Sequence, residues 1–316
     1  MTATLLSGKP ISEAIKAEVA ADVASMLSTF GFTPCLVVIR VGEDPASAVY
    51  VGSKVRTAEE LGIISEQLDF PRETSEERIV EVVKELNSRA DVDGILVQLP
   101  LPDHIDERTI LELIDPAKDV DGFHPINAGR LMQGHEALTA CTPAGVIEVL
   151  KRSDIPIAGK NAVVVGRSNI VGKPMAILLL RENATVTICH SRTANLTAIC
   201  SRADILIAAI GRAGFIRGEH IGDGSTVIDV GINRLSDPVL AASFFGPDVL
   251  EKRLAAIETR GFTLVGDVNP REALEKAAFF TPVPGGIGLL TVAMLMKNTL
   301  TAARARRSIH APIQSN

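Results

Sequence analysis

Short apolar runs rich in β-branched residues alternate with stretches of helical periodicity along most of this chain. Such alternation is typical of βαβ units, in which parallel strands form a sheet and helices cover its faces. The sequence therefore predicts an α/β fold with a largely parallel sheet. The strands predicted from the apolar runs are 35–41, 94–99, 161–165, 185–189, 205–208 and 226–230.

The length and the punctuation of the pattern predict two lobes. With 316 residues, 46% of them hydrophobic, the chain exceeds the usual size of one domain. Pro and Gly residues interrupt the periodicity at 121–134, so we place one lobe at 1–140 and another at 141–284, with a last helical segment in 285–316. The predicted helices are 11–27, 47–61, one opened by a capping box of Thr74 and Glu77, one behind Thr142, and 289–303.

Charge and composition exclude several classes of partner. A formal net charge of −6 gives no general attraction to nucleic acid or to acidic membranes. The basic residues Arg304, Arg306 and Arg307 cluster in a polar tail, which we expect to be a solvated terminus rather than a nucleic-acid-binding arm.

The cellular compartment is predicted from the cysteines and from the apolar segments. Four cysteines lie far apart without CxxC spacing, which argues against a zinc knuckle or a disulfide framework and favours reduced thiols. Residues 1–10 lack the pattern of a signal peptide, and no apolar stretch reaches membrane-spanning length without Pro or Gly. We therefore expect a cytoplasmic protein.

A glycine-containing turn follows the predicted strand 161–165. The loop runs from Gly166 to Gly172, and Pro174 stands where the first turn of a helix tolerates a missing N–H group. Such a strand, loop and helix can direct free N–H groups at a phosphate, although the loop does not match GxGxxG. The alternative is an ordinary βα turn of a parallel sheet.

The end of the next predicted strand, 185–189, indicates which dinucleotide would bind. An NAD-binding fold usually has an acidic residue there, which bonds the adenosine ribose, and this chain has none. Together with Arg167, Arg192 supplies positive charge for the extra phosphate of NADP, so we favour NADP over NAD; the alternative for Arg192 is a solvent-exposed loop cation. The residues that follow the strand are His190, Ser191, Arg192 and Thr193.

Tyr50 and Lys54 lie four residues apart on a predicted helix and therefore on one face. A turn that includes Ser47 leads into this helix from the end of a strand, the edge at which α/β sites form. The pair could act as a chemical unit. The alternative is a surface lysine that extends past a half-buried tyrosine.

Further polar side chains occur at a strand end and in a loop. Gln98 closes the apolar run 94–99, and its alternative role is a polar residue facing a loop. Asp119 and Asp121 stand near His124 in a loop where carboxylates normally meet only water. Because no other residues supply a spaced set of ligands, we expect no metal.

These segments together resemble one family, the bifunctional methylenetetrahydrofolate dehydrogenase/cyclohydrolases. Each segment is weak alone, but all of them occur in the family's order across nearly the whole chain. The matching segments are SAVYVGSK at 47–54, DGILVQLPLP at 93–102, KDVDGFHP at 118–125, CTP at 141–143, GRSNIVG at 166–172, VIDVGIN at 227–233, GDV at 266–268 and TPVPGGIG at 281–288.

The resemblance implies an architecture and two activities. It implies an N-terminal α/β catalytic domain that binds folate and a Rossmann-like NADP-binding domain, with the C-terminal helix returning to the first lobe. The two activities, NADP-dependent oxidation of 5,10-methylenetetrahydrofolate and hydrolysis of the methenyl product to 10-formyltetrahydrofolate, would share one site between the lobes. It also implies a homodimer.

The resemblance assigns roles to individual positions. Lys54 would be central to the cyclohydrolase chemistry with Gln98 beside it, Tyr50 would lie against the pterin ring, and Asp121 would hydrogen-bond to the pterin. The other implied substrate contacts are Ser47, Leu99, Pro100, Pro282, Gly285 and Gly286. The implied cofactor contacts are Gly166, Arg167, Ser168, Ser191 and Ile232, to which the argument above adds Arg192.

Two departures from the family and two rival functions remain. Leu289 stands where the family commonly has Pro, and the segment 234–265 is longer than usual, which we expect to be a surface excursion. One rival function is that of another two-lobe NADP oxidoreductase, similar to shikimate dehydrogenase, which leaves the loop 282–286 unexplained. The other is a non-catalytic NADP-binding regulator.

Overall fold

The computed structural model describes residues 2–43 and 45–308, without the side chains of residues 45–49. The described chain divides into two compact units. The first, called here the three-strand unit, contains Glu13–Cys141 and the chain from Val292 onward. The second, the six-strand unit, contains the chain up to Ser12 and Thr142–Thr291.

Helices and parallel strands alternate as the sequence pattern predicts. The strands are β1 Thr4–Leu5, β2 Cys35–Val41, β3 Ile64–Phe70, β4 Gly94–Val97, β5 Asn161–Val165, β6 Thr185–Cys189, β7 Ile205–Ala208, β8 Thr226–Asp229, β9 Asn233–Leu235, β10 Thr263–Val265 and β11 Phe279–Phe280. The helices are α1 Gly8–Phe30, α2 Pro45–Glu60, α3 Glu76–Ser88, α4 Glu107–Leu113, α5 Pro125–Met132, α6 Cys141–Arg152, α7 Gly172–Arg181, α8 Leu196–Cys200, α9 Pro238–Phe244, α10 Pro247–Arg260, α11 Pro270–Lys276 and α12 Gly288–Arg306.

The sheet of the three-strand unit has the order β3-β2-β4, and its strands are parallel. Strand β2 is the central strand, and nearly every residue in it is buried. This burial explains its mostly apolar sequence, in which Arg40 is the exception, because a parallel strand covered on both faces has no solvated side. The carboxyl end of β4 places Gln98 directly after the sheet.

The sheet of the six-strand unit has the order β1-β11-β8-β7-β5-β6, and every pairing in it is parallel. The chain passes from β5 to β6 on one side and then returns to β7 on the other side of β5. Ligands of open α/β sheets bind at the carboxyl ends of the strands at such a reversal of order. In this unit the reversal lies between β5 and β7.

The first residues of the chain differ from the predicted lobe boundary. We place residue 1 in the first lobe, but β1 pairs with β11, with Thr4 opposite Phe279 and Leu5 opposite Phe280. These two pairings put the start of the chain in the six-strand unit. Both strands have only two residues, which is too short for alternation to be seen in the sequence.

The predicted capping box of Thr74 and Glu77 is wrong by one residue. Ser75 is the N-cap of α3, and its hydroxyl accepts a hydrogen bond from the Arg78 N–H at 3.3 Å. An N-cap of this kind stabilises a helix by about 1 kcal/mol. The helix then buries one face at helical spacing, formed by Ile79, Val82, Val83 and Leu86.

The long segment 234–265 folds as a small subassembly within the six-strand unit. Strands β9 and β10 pair antiparallel, with Leu235 opposite Thr263 and Asn233 opposite Val265, and helices α9 and α10 connect them. The segment has an apolar cluster of its own, so it packs internally. The buried members of the cluster are Leu235, Ala241, Phe244, Phe245 and Val265.

The four cysteines, all within the described residues, are buried and form no disulfide. Burial raises the pKa of Cys35 to about 11 and that of Cys200 to about 12, so these thiols stay protonated at neutral pH. No helix in the described part of the chain has the length and apolar character needed to cross a membrane.

The expectation that the C-terminal arginines are solvated is wrong for Arg306 and Arg307. Arg306 donates to the fully buried carboxylate of Asp93 at 2.7 Å, and Arg307 donates to the same oxygen. The other oxygen of Asp93 accepts from the Cys35 N–H at 3.1 Å. This carboxylate therefore ties the end of α12 to the sheet of the three-strand unit.

Replacing Asp93 should show how strongly that attachment stabilises the fold. Asp93→Ala leaves two guanidinium groups and the Cys35 N–H without their acceptor, so we expect the free energy of unfolding to fall by about 3 kcal/mol. Urea denaturation measures the loss. Asp22→Ala, which removes the exposed partner of Arg304, serves as the control and should cost about 0.5 kcal/mol. Equal losses in both variants would contradict this account.

Candidate functional site

Lys54 and Gln98 form a partly buried polar pair in the three-strand unit. Helix α2 carries Lys54, whose side chain is only 8% exposed, and its Nζ donates to Gln98 Oε1 at 2.9 Å. Gln98 Nε2 donates in turn to Leu99 O at 2.6 Å, which orients the amide with its oxygen toward the lysine. Tyr50 is 42% exposed. The alternative of a surface lysine beside a half-buried tyrosine therefore does not fit.

Asp121 lies within electrostatic reach of Lys54. Burial raises the pKa of its carboxyl to about 6, the positive charge of Lys54 opposes this rise, and the charge of Asp119 adds to it. The Asp121 carboxyl therefore titrates at a pH well above that at which an ordinary aspartate titrates. An amine, an amide and a carboxyl of perturbed pKa are thus grouped in one unit, which is typical of a catalytic site.

The loop that carries Asp121 is held by backbone and side-chain contacts. Gly122 has a φ of +74°, and a Cβ there would lie 2.3 Å from the Thr139 carbonyl carbon, so only glycine fits. On α12, Asn298 Nδ2 donates to Val120 O at 2.8 Å and to Thr139 O at 2.9 Å. The last helix thus fixes the backbone on either side of Asp121.

Asp119 and His124 organise this loop. We expected Asp119 to meet water, and that expectation is wrong, because it is buried and accepts from the N–H groups of Phe123 at 3.1 Å and His124 at 2.8 Å. His124 Nδ1 accepts from the Ile126 N–H at 3.1 Å, which leaves Nε2 to donate to Glu112 O at 3.0 Å. Asp119 and His124 thus hold the loop through hydrogen bonds with backbone groups. Among the described residues, no group of three or more His, Cys, Asp or Glu could hold a metal ion.

The other predicted substrate positions of this unit flank the pair. Leu99 follows Gln98 and accepts its amide N–H, and Pro100 lines a cavity of about 620 Å³ together with Gly42 and Arg72. Ser47 belongs to α2, but its side chain lies outside the described residues.

The glycine loop of the six-strand unit lies at the reversal of strand order. Gly166 follows β5 with a φ of +135°, and a Cβ on it would lie 2.1 Å from the carbonyl oxygen of Ala209, which follows β7. A Cβ on Gly172 would lie 2.3 Å from Gly166 O. Ser168 Oγ accepts from the Gly172 N–H at 3.3 Å and so closes the turn at the start of α7. Both glycines are therefore required by close backbone approach.

The predicted phosphate-binding side chains lie at the surface of this unit. Arg167, Ser191 and Arg192 are all exposed. The turn after β6 is shaped by the His190 N–H, which donates to Thr193 Oγ1 at 2.8 Å, and by the Arg192 N–H, which donates to His190 Nδ1 at 3.1 Å. This turn presents Ser191 and Arg192 at its tip.

The loop Pro282–Gly286 also belongs to the six-strand unit. Gly285 has a φ of +105°, and its carbonyl accepts from the Gly8 N–H at 2.8 Å. Leu289 donates its N–H to Gly286 O at 3.3 Å, a bond that a proline at this position could not make. The departure from the family at Leu289 therefore adds a contact to the end of the loop. The predicted cofactor residue Ile232 is 47% exposed.

Two buried carboxylates of the six-strand unit were not singled out from the sequence. Asp267 accepts from the N–H groups of Ile210 at 2.6 Å, Gly211 at 2.9 Å and Arg212 at 2.8 Å. Asp229 accepts from the Asp267 N–H at 2.9 Å, and burial raises its pKa to about 8. The available signal was an acid directly at the end of the apolar run 226–230, a position that must find internal partners.

The structure thus groups the predicted residues into two sets. Lys54, Gln98 and Asp121 come together in the three-strand unit, with Tyr50 one turn before Lys54 on the same helix. The glycine loop, the exposed cations and hydroxyls, Ile232 and the loop Pro282–Gly286 all belong to the six-strand unit.

Comparison with known proteins covers both units. Residues 6–121 match the family described as tetrahydrofolate dehydrogenase/cyclohydrolase, catalytic domain, and residues 140–307 match the NAD(P)-binding domain of the same family. The bifunctional protein FolD of Koribacter versatilis is 54% identical over 307 residues, which are 97% of this chain and 99% of that protein.

Two solved structures show the same architecture. The bifunctional FolD methylenetetrahydrofolate dehydrogenase/cyclohydrolase of Campylobacter jejuni has a TM-score of 0.85 and 42% identity, covering 96% of this chain and 99% of its own. The FolD of Trypanosoma brucei, solved with NADP cofactor and an inhibitor, has a TM-score of 0.87 and 37% identity, covering 98% of this chain and 100% of its own.

The titration of Asp121 tests the electrostatic coupling in the three-strand unit. Lys54→Gln removes the positive charge that favours the carboxylate, so the pKa of Asp121 should rise above its value of about 6. Carboxyl ¹³C NMR across a pH series measures it. Lys84→Gln, which removes an exposed lysine of α3, is the matched control and should leave the titration unchanged. A lower or unaltered pKa in Lys54→Gln would show that the two groups are not coupled.

Proposed function

The chain belongs to the tetrahydrofolate dehydrogenase/cyclohydrolase family, and we propose that it oxidises 5,10-methylenetetrahydrofolate with NADP and hydrolyses the methenyl product to 10-formyltetrahydrofolate. The observation that carries this proposal is the buried Lys54 amine, bonded to Gln98 and coupled to Asp121. Neither rival function is favoured. A shikimate dehydrogenase-like enzyme or a non-catalytic regulator would not be expected to match both domains of this family.

The oxidation step places few demands on the protein. When bound, NADP supplies the nicotinamide ring that accepts a hydride from the methylene carbon of the folate. Lone pairs on the two adjacent folate nitrogens stabilise the resulting methenyl cation, so the step needs no protein base. The chain contributes orientation. In this proposal the Asp121 carboxylate accepts hydrogen bonds from the pterin, and the exposed Tyr50 ring lies against the pterin ring.

The remaining substrate contacts follow the same logic. Ser47 belongs to α2, and Leu99 and Pro100 follow β4, and we assign all three to the folate. We also assign the loop Pro282–Gly286 to the folate, as the family resemblance implies. The three-strand unit is therefore the folate-binding part and the six-strand unit the NADP-binding part of the enzyme.

The hydrolysis step needs proton transfer, and Lys54 is the group placed to provide it. Beside the cationic methenyl substrate the Lys54 ammonium is disfavoured and releases its proton to solvent. Water then adds to the methenyl carbon and loses a proton, which the Lys54 amine accepts. The bond from that carbon to one folate nitrogen then breaks, and the proton returns to this nitrogen. The hydroxyl loses its remaining proton to solvent as the C=O bond forms, which leaves the formyl group on the other nitrogen. The hydrogen bond between Lys54 and Gln98 Oε1 holds the amine in a single orientation throughout.

The glycine loop and its neighbours fit the pyrophosphate and the extra phosphate of NADP. Gly166 and Gly172 allow close approach of the backbone, and α7 begins at Gly172, so an anion at this point meets the positive end of the helix. In this proposal Ser168 lines the loop, while Arg167, Ser191 and Arg192 bind the additional phosphate through charge-assisted hydrogen bonds. Ile232 contributes an apolar contact.

We propose that the enzyme is a cytoplasmic homodimer. The dimer is supported by the resemblance to a family whose members form homodimers. The cytoplasmic location is supported by four buried thiols without a disulfide, because such thiols suit a reducing compartment.

Substitution of Lys54 should separate the two activities. Lys54→Gln keeps much of the length and hydrogen-bonding capacity of the side chain but cannot exchange a proton, and general acid–base catalysis contributes about 10²–10⁴-fold. Cyclohydrolase activity should fall by that order while some dehydrogenase activity persists, so the methenyl compound accumulates. Its absorbance, followed together with NADPH formation, measures both.

Three outcomes of the Lys54 experiment can be told apart. Accumulation of the methenyl compound supports proton transfer by the lysine. If Lys54 served only to hold the folate, both rates would fall in parallel and recover together at high folate concentration. If it had no part in the chemistry, both rates would stay close to those of the Lys84→Gln control.

A further inference from the structure

Arg253 connects the segment 234–265 to the loop Pro282–Gly286. It lies on α10 and is partly buried, and its guanidinium carbon stands 4.6 Å from the centre of the Phe245 ring. One nitrogen, Nη1, donates to Leu264 O at 3.0 Å. The other, Nη2, donates to Val283 O at 3.1 Å. One planar group thus spans the subassembly and the loop.

The partners of Arg253 are unusual for a partly buried cation. Within the described residues it has no carboxylate partner, and its oxygen partners are backbone carbonyls and the Thr263 hydroxyl. Burial lowers the pKa of Arg253, so placing the charge there has a cost. Hydrogen bonds from a charged donor are about twice as strong as neutral ones, which suits a contact that must fix a backbone carbonyl.

Other hydrogen bonds hold the chain on each side of Val283. Before it, Thr281 Oγ1 accepts from the Asp229 N–H at 2.7 Å. After it, Gly285 O accepts from the Gly8 N–H at 2.8 Å. Among the described residues, Arg253 is the side chain that donates a hydrogen bond to a carbonyl between these two points. Without it, the peptide between Thr281 and Gly285 would keep only its end attachments.

We propose that Arg253 is a positioning residue for the folate, and that the β9-α9-α10-β10 subassembly is the scaffold that holds it against the loop Pro282–Gly286. This inference rests on the proposed function, in which that loop borders the folate. Arg253 touches neither substrate nor cofactor in this scheme. It acts through the Val283 carbonyl by keeping the loop in its binding conformation before the folate arrives, which lowers the entropic cost of binding.

The kinetic constants for folate and for NADP distinguish this role from a general effect on the fold. Arg253→Ala removes the charged donor, so the KM for methylenetetrahydrofolate should rise roughly tenfold, and that for the methenyl substrate should rise with it. The KM for NADP should change by less than about twofold. Arg253→Lys keeps a charged donor but cannot span both carbonyls, so its folate constants should fall between those of the wild type and Arg253→Ala.

Lys252→Ala provides the matched control, since it removes a neighbouring exposed cation of the same helix and should leave every constant unchanged. Thermal unfolding shows which variants are folded. If Arg253→Ala does not fold, the folate constants of Arg253→Lys test the inference. Folate constants equal to those of the wild type, or folate and NADP constants that rise together, would overturn the inference. A wild-type protein without either activity would instead overturn the proposed function, and the inference with it.

Discussion

The hydrogen bond from Lys54 Nζ to Gln98 Oε1 is the contact around which the three-strand unit is arranged. An amine that is only 8% exposed loses most of its hydration, and this loss costs several kcal/mol unless nearby groups compensate for it. The Gln98 amide supplies one acceptor at 2.9 Å, and the Asp121 carboxyl supplies opposite charge. Helix α2, the end of β4 and the loop 119–124 each contribute one of the three groups. A shift of α2 or of the end of β4 would break this hydrogen bond and take the Gln98 acceptor from the buried Lys54 amine.

In the six-strand unit, hydrogen bonds to buried polar groups hold the loops at the ends of the strands. Its glycine loop must let backbone approach backbone at the reversal of strand order, and its other loops must stay in place without regular structure. Asp229 and Asp267 do this by gathering N–H groups from several loop segments, at 2.6–3.0 Å. The buried carboxylates thus replace the ladder hydrogen bonds that end where the strands end. The exposed Arg167, Ser191 and Arg192 lie on other loops of the same unit.

The sequence predicts the elements whose burial is complete and says much less about the partners of polar groups. The predicted strands 35–41, 161–165, 185–189 and 205–208 agree with the structure, because an apolar run buried on both faces can be recognised in the sequence. The two-residue strands β1 and β11 are missed because their pairing is decided by contacts between distant parts of the chain. The expectation that Arg306 and Arg307 meet water is wrong for the same reason, because their acceptor Asp93 lies far away in sequence. The same expectation is wrong for Asp119 because its own loop folds back and brings two N–H groups to the carboxylate. Family resemblance predicts the grouping of Lys54, Gln98 and Asp121. The residues alone are also compatible with a surface lysine beside a half-buried tyrosine.

The most direct test of this account follows the methenyl compound itself. Purified wild-type protein is mixed with methylenetetrahydrofolate and either NADP or NAD, and the absorbance of the methenyl compound and of the reduced cofactor are recorded in the same time course. We expect NADPH to form well in excess of the methenyl compound, because hydrolysis at the same enzyme removes it, and we expect NAD to support a much slower reaction. Methenyl accumulation equal to NADPH formation, at a decay rate no faster than in buffer, would contradict the claim that one chain carries both activities.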